Sequence, residues 1–73
     1  MDGSLKKTVL AIVGMRDNGC RESVSEALGD VDGVLDVNVS LMRARATVVH
    51  GADCDPVSLV AAVQSAGYQA TVE

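Results

Sequence analysis

Apolar positions along the chain fall into six runs whose period switches between about 2 and about 3.6 residues. Thr8–Val13 is a continuous β-branched and aliphatic run ending at Gly14, the pattern of a buried strand. In Cys20–Val31, residues Val24, Ala27, Leu28 and Val31 sit at helical spacing and make one apolar face. Asp17 or Asn18 offers an oxygen to cap its start, and Gly29 and Gly33 break it. Val34–Leu41 alternates, which predicts Leu35, Val37, Val39 and Leu41 on one face and Asp36, Asn38 and Ser40 on the other. Ala44–His50 alternates too, with Ala46 and Val48 inward and His50 ending that face. Only Met42 and Arg43 lie between these runs, so a tight hairpin is expected there. In "DCDPVSLVAAVQSAG" Asp55 is a cap, Pro56 takes the first helical position and Gly67 follows the end. Leu59, Ala62, Val63 and Ala66 form its buried stripe, and Tyr68–Val72 reads as a last short strand.

The order is β-α-β-β-α-β. Right-handed crossovers turn it into an α+β, ferredoxin-like open-faced sandwich, with a four-stranded antiparallel sheet and two helices on one face. Residues 1–73 are expected to form one domain, with residues 1–5 a disordered lead-in. Strand direction fixes which loops share an end. The end where the first strand finishes, the top, carries Gly14–Cys20, the Met42–Arg43 hairpin and Gly67–Tyr68. The bottom carries Asp30–Gly33 and His50–Asp55. The first helix should be roughly 16 Å long at about 1.5 Å per residue, with Cys20 at its top and Cys54 below. That separation excludes a Cys20–Cys54 disulfide, which needs Cα atoms within about 7 Å.

Composition narrows the function. The 48% hydrophobic content supports a core, yet there is no Phe or Trp and one Tyr, so that core must be aliphatic. A net charge of −4 and a single aromatic residue argue against nucleic-acid binding, which needs a basic stripe or stacking platforms. Two cysteines are too few for a secreted disulfide framework. The longest apolar run, Val9–Val13, is too short to span a bilayer, and residues 1–8 do not read as a signal peptide. A cytoplasmic setting is the expectation, with direct membrane insertion excluded. No Ser/His/Asp or paired-carboxylate constellation appears, so the domain is not expected to be an enzyme.

The chemistry gathers in "VGMRDNGC". Cys20 begins a helix, where the dipole lowers a thiol's pKa; Arg16 and Arg21 add to that effect and Asp17 opposes it. This segment resembles the G-M-x-C-x-x-C loop of heavy-metal-associated domains, found in copper chaperones, mercury-binding proteins and the amino-terminal domains of mercuric reductases and metal-transporting P-type ATPases. "GVLDVNVSL", "ATVVHG" and "DPVSLVAAVQSAGYQA" are similar to the family's later segments, so the resemblance covers nearly the whole chain. It implies a metal carried by Cys20, with Asp17 at the position of the family's first cysteine. It also implies Met15 packed inward under the loop and Tyr68 beside it. Soft Cu(I) and Hg(II) favour two thiolates, whereas a carboxylate suits Zn(II), Co(II) or Mn(II). The donor pair Asp17 and Cys20 should therefore bind Cu(I) or Hg(II) weakly and still admit a borderline metal such as Zn(II).

The expected function is a soft-metal binding and transfer module of a metal-transporting P-type ATPase or mercuric reductase. Its partners would be the metal ion and a metal-transfer protein or cognate ATPase domain, with a weak metal-bridged homodimer through Cys20 as a further association. One alternative is a domain that has lost tight metal binding and serves as a regulatory or docking module. A small-molecule sensing domain of similar topology is another. Cys54 reads as a helix-start residue, and His50 as a strand end that shares the bottom with it. Arg16 and Arg43 read as solvated charge on the top.

Overall fold

A computed structural model describes residues 5–73. The elements are β1 (Leu5–Val13), α1 (Asn18–Gly29), β2 (Val34–Ser40), β3 (Arg45–Gly51), α2 (Pro56–Ser65) and β4 (Gln69–Val72). The sheet order is β2-β3-β1-β4, every neighbouring pair is antiparallel, and the α+β ferredoxin-like topology is the one the element order dictates. The expected lead-in at Met1–Ser4 lies outside the described residues, while Leu5 is already in β1, paired with Gly51.

The helices cover one face of the sheet. Leu10 and Ile12 of β1, Val39 of β2, and Ala46 and Val48 of β3 meet Val24 and Leu28 of α1 and Leu59 and Val63 of α2. This buried set is aliphatic and contains no aromatic ring. Without large planar side chains to fill gaps, the helices must lie close on the sheet, which the small Ala46 at the centre permits.

Three local expectations change. In β2, Val34 pairs with His50 and Asp36 with Val49, so Leu35 is an extra residue in a bulge and is 63% exposed. The bulge resets the alternation: Val34, Val37 and Val39 pack inward instead of Leu35, Val37, Val39 and Leu41, and Leu41 falls in the connection after β2. The β2–β3 connection holds four residues, not two. Ser40 pairs with Arg45, the Ala44 N–H donates to the Leu41 carbonyl at 3.2 Å, and Ala44 takes a φ of 55°. A turn followed by one left-handed residue reverses the chain without splaying the strands. Finally, α1 starts at Asn18, two residues before Cys20, and stops at Gly29, so Val31 packs against the core from the following loop.

Candidate metal centre

Asp17 is the N-cap of α1. Its backbone is extended, and its Oδ1 accepts the Cys20 N–H at 3.0 Å, satisfying one of the free donors of the first turn. Gly19 makes room for this, since a Cβ there would lie 3.3 Å from Asp17 Oδ1. The bond to the Cys20 N–H, followed by contact with the Cys20 side chain, holds the Asp17 carboxyl below the usual carboxylate range. Of the two outcomes weighed for Asp17, capping is therefore realised in the structure. One oxygen is engaged by the helix, and the carboxylate still borders the thiol.

Cys20 sits in the first turn of α1, half-buried, as a free thiol. Over it lies Tyr68. The Cys20 side chain, as a hydrogen-bonding neighbour, pushes the Tyr68 hydroxyl above the usual phenol range, with burial and the charge of Cys20 adding to the shift and Ser23 opposing it. A phenol that keeps its proton remains a donor. Ser23, three residues along α1 from Cys20, escaped the reading of the sequence; the i, i+3 spacing that puts both on one helix face was the available signal.

Tyr68 is placed by two glycines. Gly67, at φ 99°, ends α2 with its N–H donating to the Gln64 carbonyl at 3.0 Å, and the Tyr68 N–H returns to the Val63 carbonyl at 3.2 Å. This pair of bonds is a Schellman turn. Gly14, at φ 111°, forms the seat of the ring, for a Cβ there would lie 3.3 Å from Tyr68 Cδ1. Met15 is half-buried and packs against the core. Arg16 is exposed, while Arg21 points its Nε at Asn18 Oδ1, 3.5 Å away, and lies 4.0 Å from Glu22.

The bottom end is built differently. Cys54 is 6% exposed, packed where a Cβ on Gly33 would come within 3.1 Å of its own Cβ. Burial, with the Asp55 charge as a smaller contribution, pushes its thiol up, the direction of an unreactive sulfur. His50 is buried rather than a simple strand end. Its Nδ1 donates to the Gly51 carbonyl at 3.0 Å, which leaves Nε2 to accept the Thr8 hydroxyl at 2.7 Å. Both ring nitrogens are thus occupied. Among the described residues no three His, Cys, Asp or Glu side chains converge as a metal cluster. The top loop brings a single thiol and a single carboxylate together.

A model of the heavy-metal-associated domain family matches residues 9–69. The chain belongs to that family. Two curated relatives are P-type or copper-transporting ATPases. Copper-transporting ATPase 2 of Homo sapiens is 32% identical over 99% of this chain and 5% of its own length. The copper-exporting P-type ATPase of Vibrio cholerae is 38% identical over 97% of this chain and 8% of its own length. The chain thus spans less than a tenth of the length of these relatives. Among solved structures, oxidized MerP from Ralstonia metallidurans CH34 superposes with a TM-score of 0.91 at 28% identity, covering 96% of this chain and 99% of that one. No helix among the described residues is long and apolar enough to cross a membrane.

Proposed function

We propose that this heavy-metal-associated domain binds a soft or borderline metal ion at Cys20 and passes it to a partner's thiol, as a module of a metal-transporting P-type ATPase. The observation that carries the reading is the half-exposed Cys20 thiol in the first turn of α1, beside the Asp17 carboxylate that caps that turn. The identity to two ATPases named for copper supports the choice of cargo and of parent protein.

The donor set sets the strength. Cu(I) and Hg(II) gain most from a second sulfur, and here the neighbouring donor is the Asp17 carboxylate, one oxygen of which caps α1. Binding of these ions through one internal thiolate is weak, and an incoming thiol completes the coordination. In transfer, Cys20 holds the ion while the partner's thiolate joins it; the Cys20–metal bond then breaks. The Tyr68 hydroxyl can donate to the sulfur as it becomes a free thiolate. A borderline ion such as Zn(II) accepts the mixed oxygen and sulfur pair more readily.

Titration of the reduced chain with Cu(I), Hg(II) and Zn(II) against chelators of known affinity tests the proposal. It predicts one ion per chain, weak Cu(I) retention that improves with added thiol, and loss of all three in Cys20→Ser. Binding that survives Cys20→Ser would remove the site from the top loop. Failure to bind any of the ions, with or without thiol, would leave the alternative of a docking module that has lost its metal.

A further inference from the structure

β1 has a neighbour on both sides for only part of its length. β3 pairs with Leu5–Ala11, whereas β4 pairs with Leu10–Val13 and the Glu73 N–H then reaches the Val9 carbonyl at 2.8 Å. Below that bond, among the described residues, no strand lies beside Leu5–Thr8 on the side away from β3. Along an antiparallel strand the N–H and C=O of one residue point to the same side, and the side alternates. Val9 faces β4, and Ile12, whose N–H donates to the Ala44 carbonyl at 2.7 Å, faces the β3 side. Leu5 and Lys7 therefore turn their main-chain groups to the vacant side. A cleft of about 490 Å³ borders the same stretch, with Lys6 and Lys7 on one wall and Asp53 and Asp55 on the other. Thr8, His50 and Cys54 are buried and close its floor. Thr8, Leu10 and Ile12 are buried under the helices, so by alternation the Leu5 and Lys7 side chains project from the open face of the sheet, where both are exposed.

We propose that this vacant edge takes an extended segment of a partner protein, added as a strand antiparallel to β1 and in line with β4. Main-chain hydrogen bonds supply the attraction in such strand addition, and side chains supply the selection. Val9 and Glu73 form a hydrogen-bonded pair, so the next such pair in the ladder joins Lys7 to one residue of the added strand. An acidic residue there lies directly across from the Lys7 ammonium, and an apolar residue two positions further on covers Leu5, which is 62% exposed. The residues flanking the acid turn to the cleft, between Lys6 and the two aspartates, and are uncharged. A second copy of this chain is a poor occupant. Pairing two β1 edges sets Lys6 and Lys7 against the same two lysines, the usual way in which an edge is guarded against its own kind. The edge lies at the end opposite Cys20, so a strand bound there holds the domain while leaving the thiol accessible.

The test is an NMR titration of the metal-free chain with the peptide acetyl-Val-Glu-Thr-Val amide in millimolar excess at low salt. Saturable shifts should be confined to Leu5–Val9 and to the β3–α2 loop and first turn of α2, and hydrogen exchange at the Lys7 amide should slow. Residues around Cys20 should not move. Two changes probe the two parts of the recognition. Methylating the peptide nitrogen of its glutamate removes the donor to the Lys7 carbonyl and should abolish binding with the protein untouched. Lys7→Glu, at an exposed position, should weaken the glutamate peptide several-fold and restore binding to the same peptide with lysine in place of glutamate; circular dichroism checks its fold. Should that variant not fold, the lysine peptide against the unmodified chain gives the same comparison and should bind several-fold more weakly than the glutamate peptide. No saturable shift, shifts centred on the top loop or the helices, equal binding of the methylated peptide, or indifference to the charge opposite Lys7 would each overturn the proposal. With no ion present, the result stands apart from the metal titration.

Discussion

Asp17 serves two demands with one carboxylate. As N-cap it accepts the Cys20 N–H at 3.0 Å, and as the nearest acid it is the second candidate donor for a metal on Cys20. Substitution separates the demands. Asp17→Asn keeps an oxygen for the cap and removes the charge; Asp17→Ala removes both. The Asn variant should melt close to the parent while losing Zn(II) affinity, and the Ala variant should lose both. If Asp17→Asn binds Zn(II) as the parent does, the carboxylate is a cap alone. The same group predicts a pH effect. Its folded pKa lies below the unfolded value of about 3.9, so its contribution is complete above that value and fades as pH falls through the folded one. Acid titration followed by helix content should show this loss in the parent and not in Asp17→Asn. Asp17→Cys should restore a two-thiolate site and raise Cu(I) affinity by orders of magnitude, measured by chelator competition; an unchanged affinity would mean the loop cannot close on an ion. Asp17 and Cys20 were legible from sequence because a cap residue and a thiol stand out at a helix start. The spacing of Ser23 from Cys20 placed both on one helix face, but its bearing on the site follows only once Tyr68 is placed beside them.

At the scale of elements, the surroundings of Cys20 depend on how α2 ends. Gly67 closes the helix in a left-handed conformation and delivers Tyr68 to the top. Nothing lies within 4 Å of a Cβ at Gly67, so Gly67→Ala carries only the backbone cost, about 1–2 kcal/mol. Gly14→Ala meets a similar φ penalty and the Tyr68 ring at 3.3 Å as well. Thermal melts should therefore show both variants destabilised. Only Gly14→Ala should also change the rate at which Cys20 reacts with iodoacetamide, because it displaces the hydroxyl from the sulfur. Equal effects on that rate would mean that the ring follows α2 and not its seat at Gly14. The Asp55, Pro56 and Gly67 signals made α2 readable in advance, since each satisfies a backbone demand within its own turn. The Leu35 bulge was not readable: a pattern of period 2 shows alternation but not where the partner strand skips a residue. The hairpin was misjudged for a related reason. Ala44 bears no mark of a left-handed residue, and its conformation follows from pairing Ser40 with Arg45.

For the molecule as a whole, the decisive fact is that its two sulfurs belong to different environments at opposite ends. Cys54 is buried against Gly33 at the bottom, and Cys20 is half-exposed at the top, about one helix length away. The chain cannot chelate a soft ion with both. A Cu(I) or Hg(II) ion on Cys20 must take its second sulfur from outside, and in a pure solution the only source is another Cys20. Two chains then bridge one ion, and the apparent affinity rises with protein concentration. The apposed top faces carry like charges at Arg16 and Arg43, and at Asp17, so this homodimer is weak and gains from salt, which screens exposed charges. Glutathione supplies the same donor without that repulsion and should displace the second chain. Sedimentation should therefore show a Hg(II)-dependent dimer at high protein concentration that dissolves on adding glutathione and never forms in Cys20→Ser. A dimer in that variant would assign the bridge to Cys54, which requires the bottom of the domain to open; hydrogen exchange at Gly51 and Cys54, whose N–H groups bond the Gly33 and Gly51 carbonyls at 2.9 and 3.1 Å, would report that opening directly.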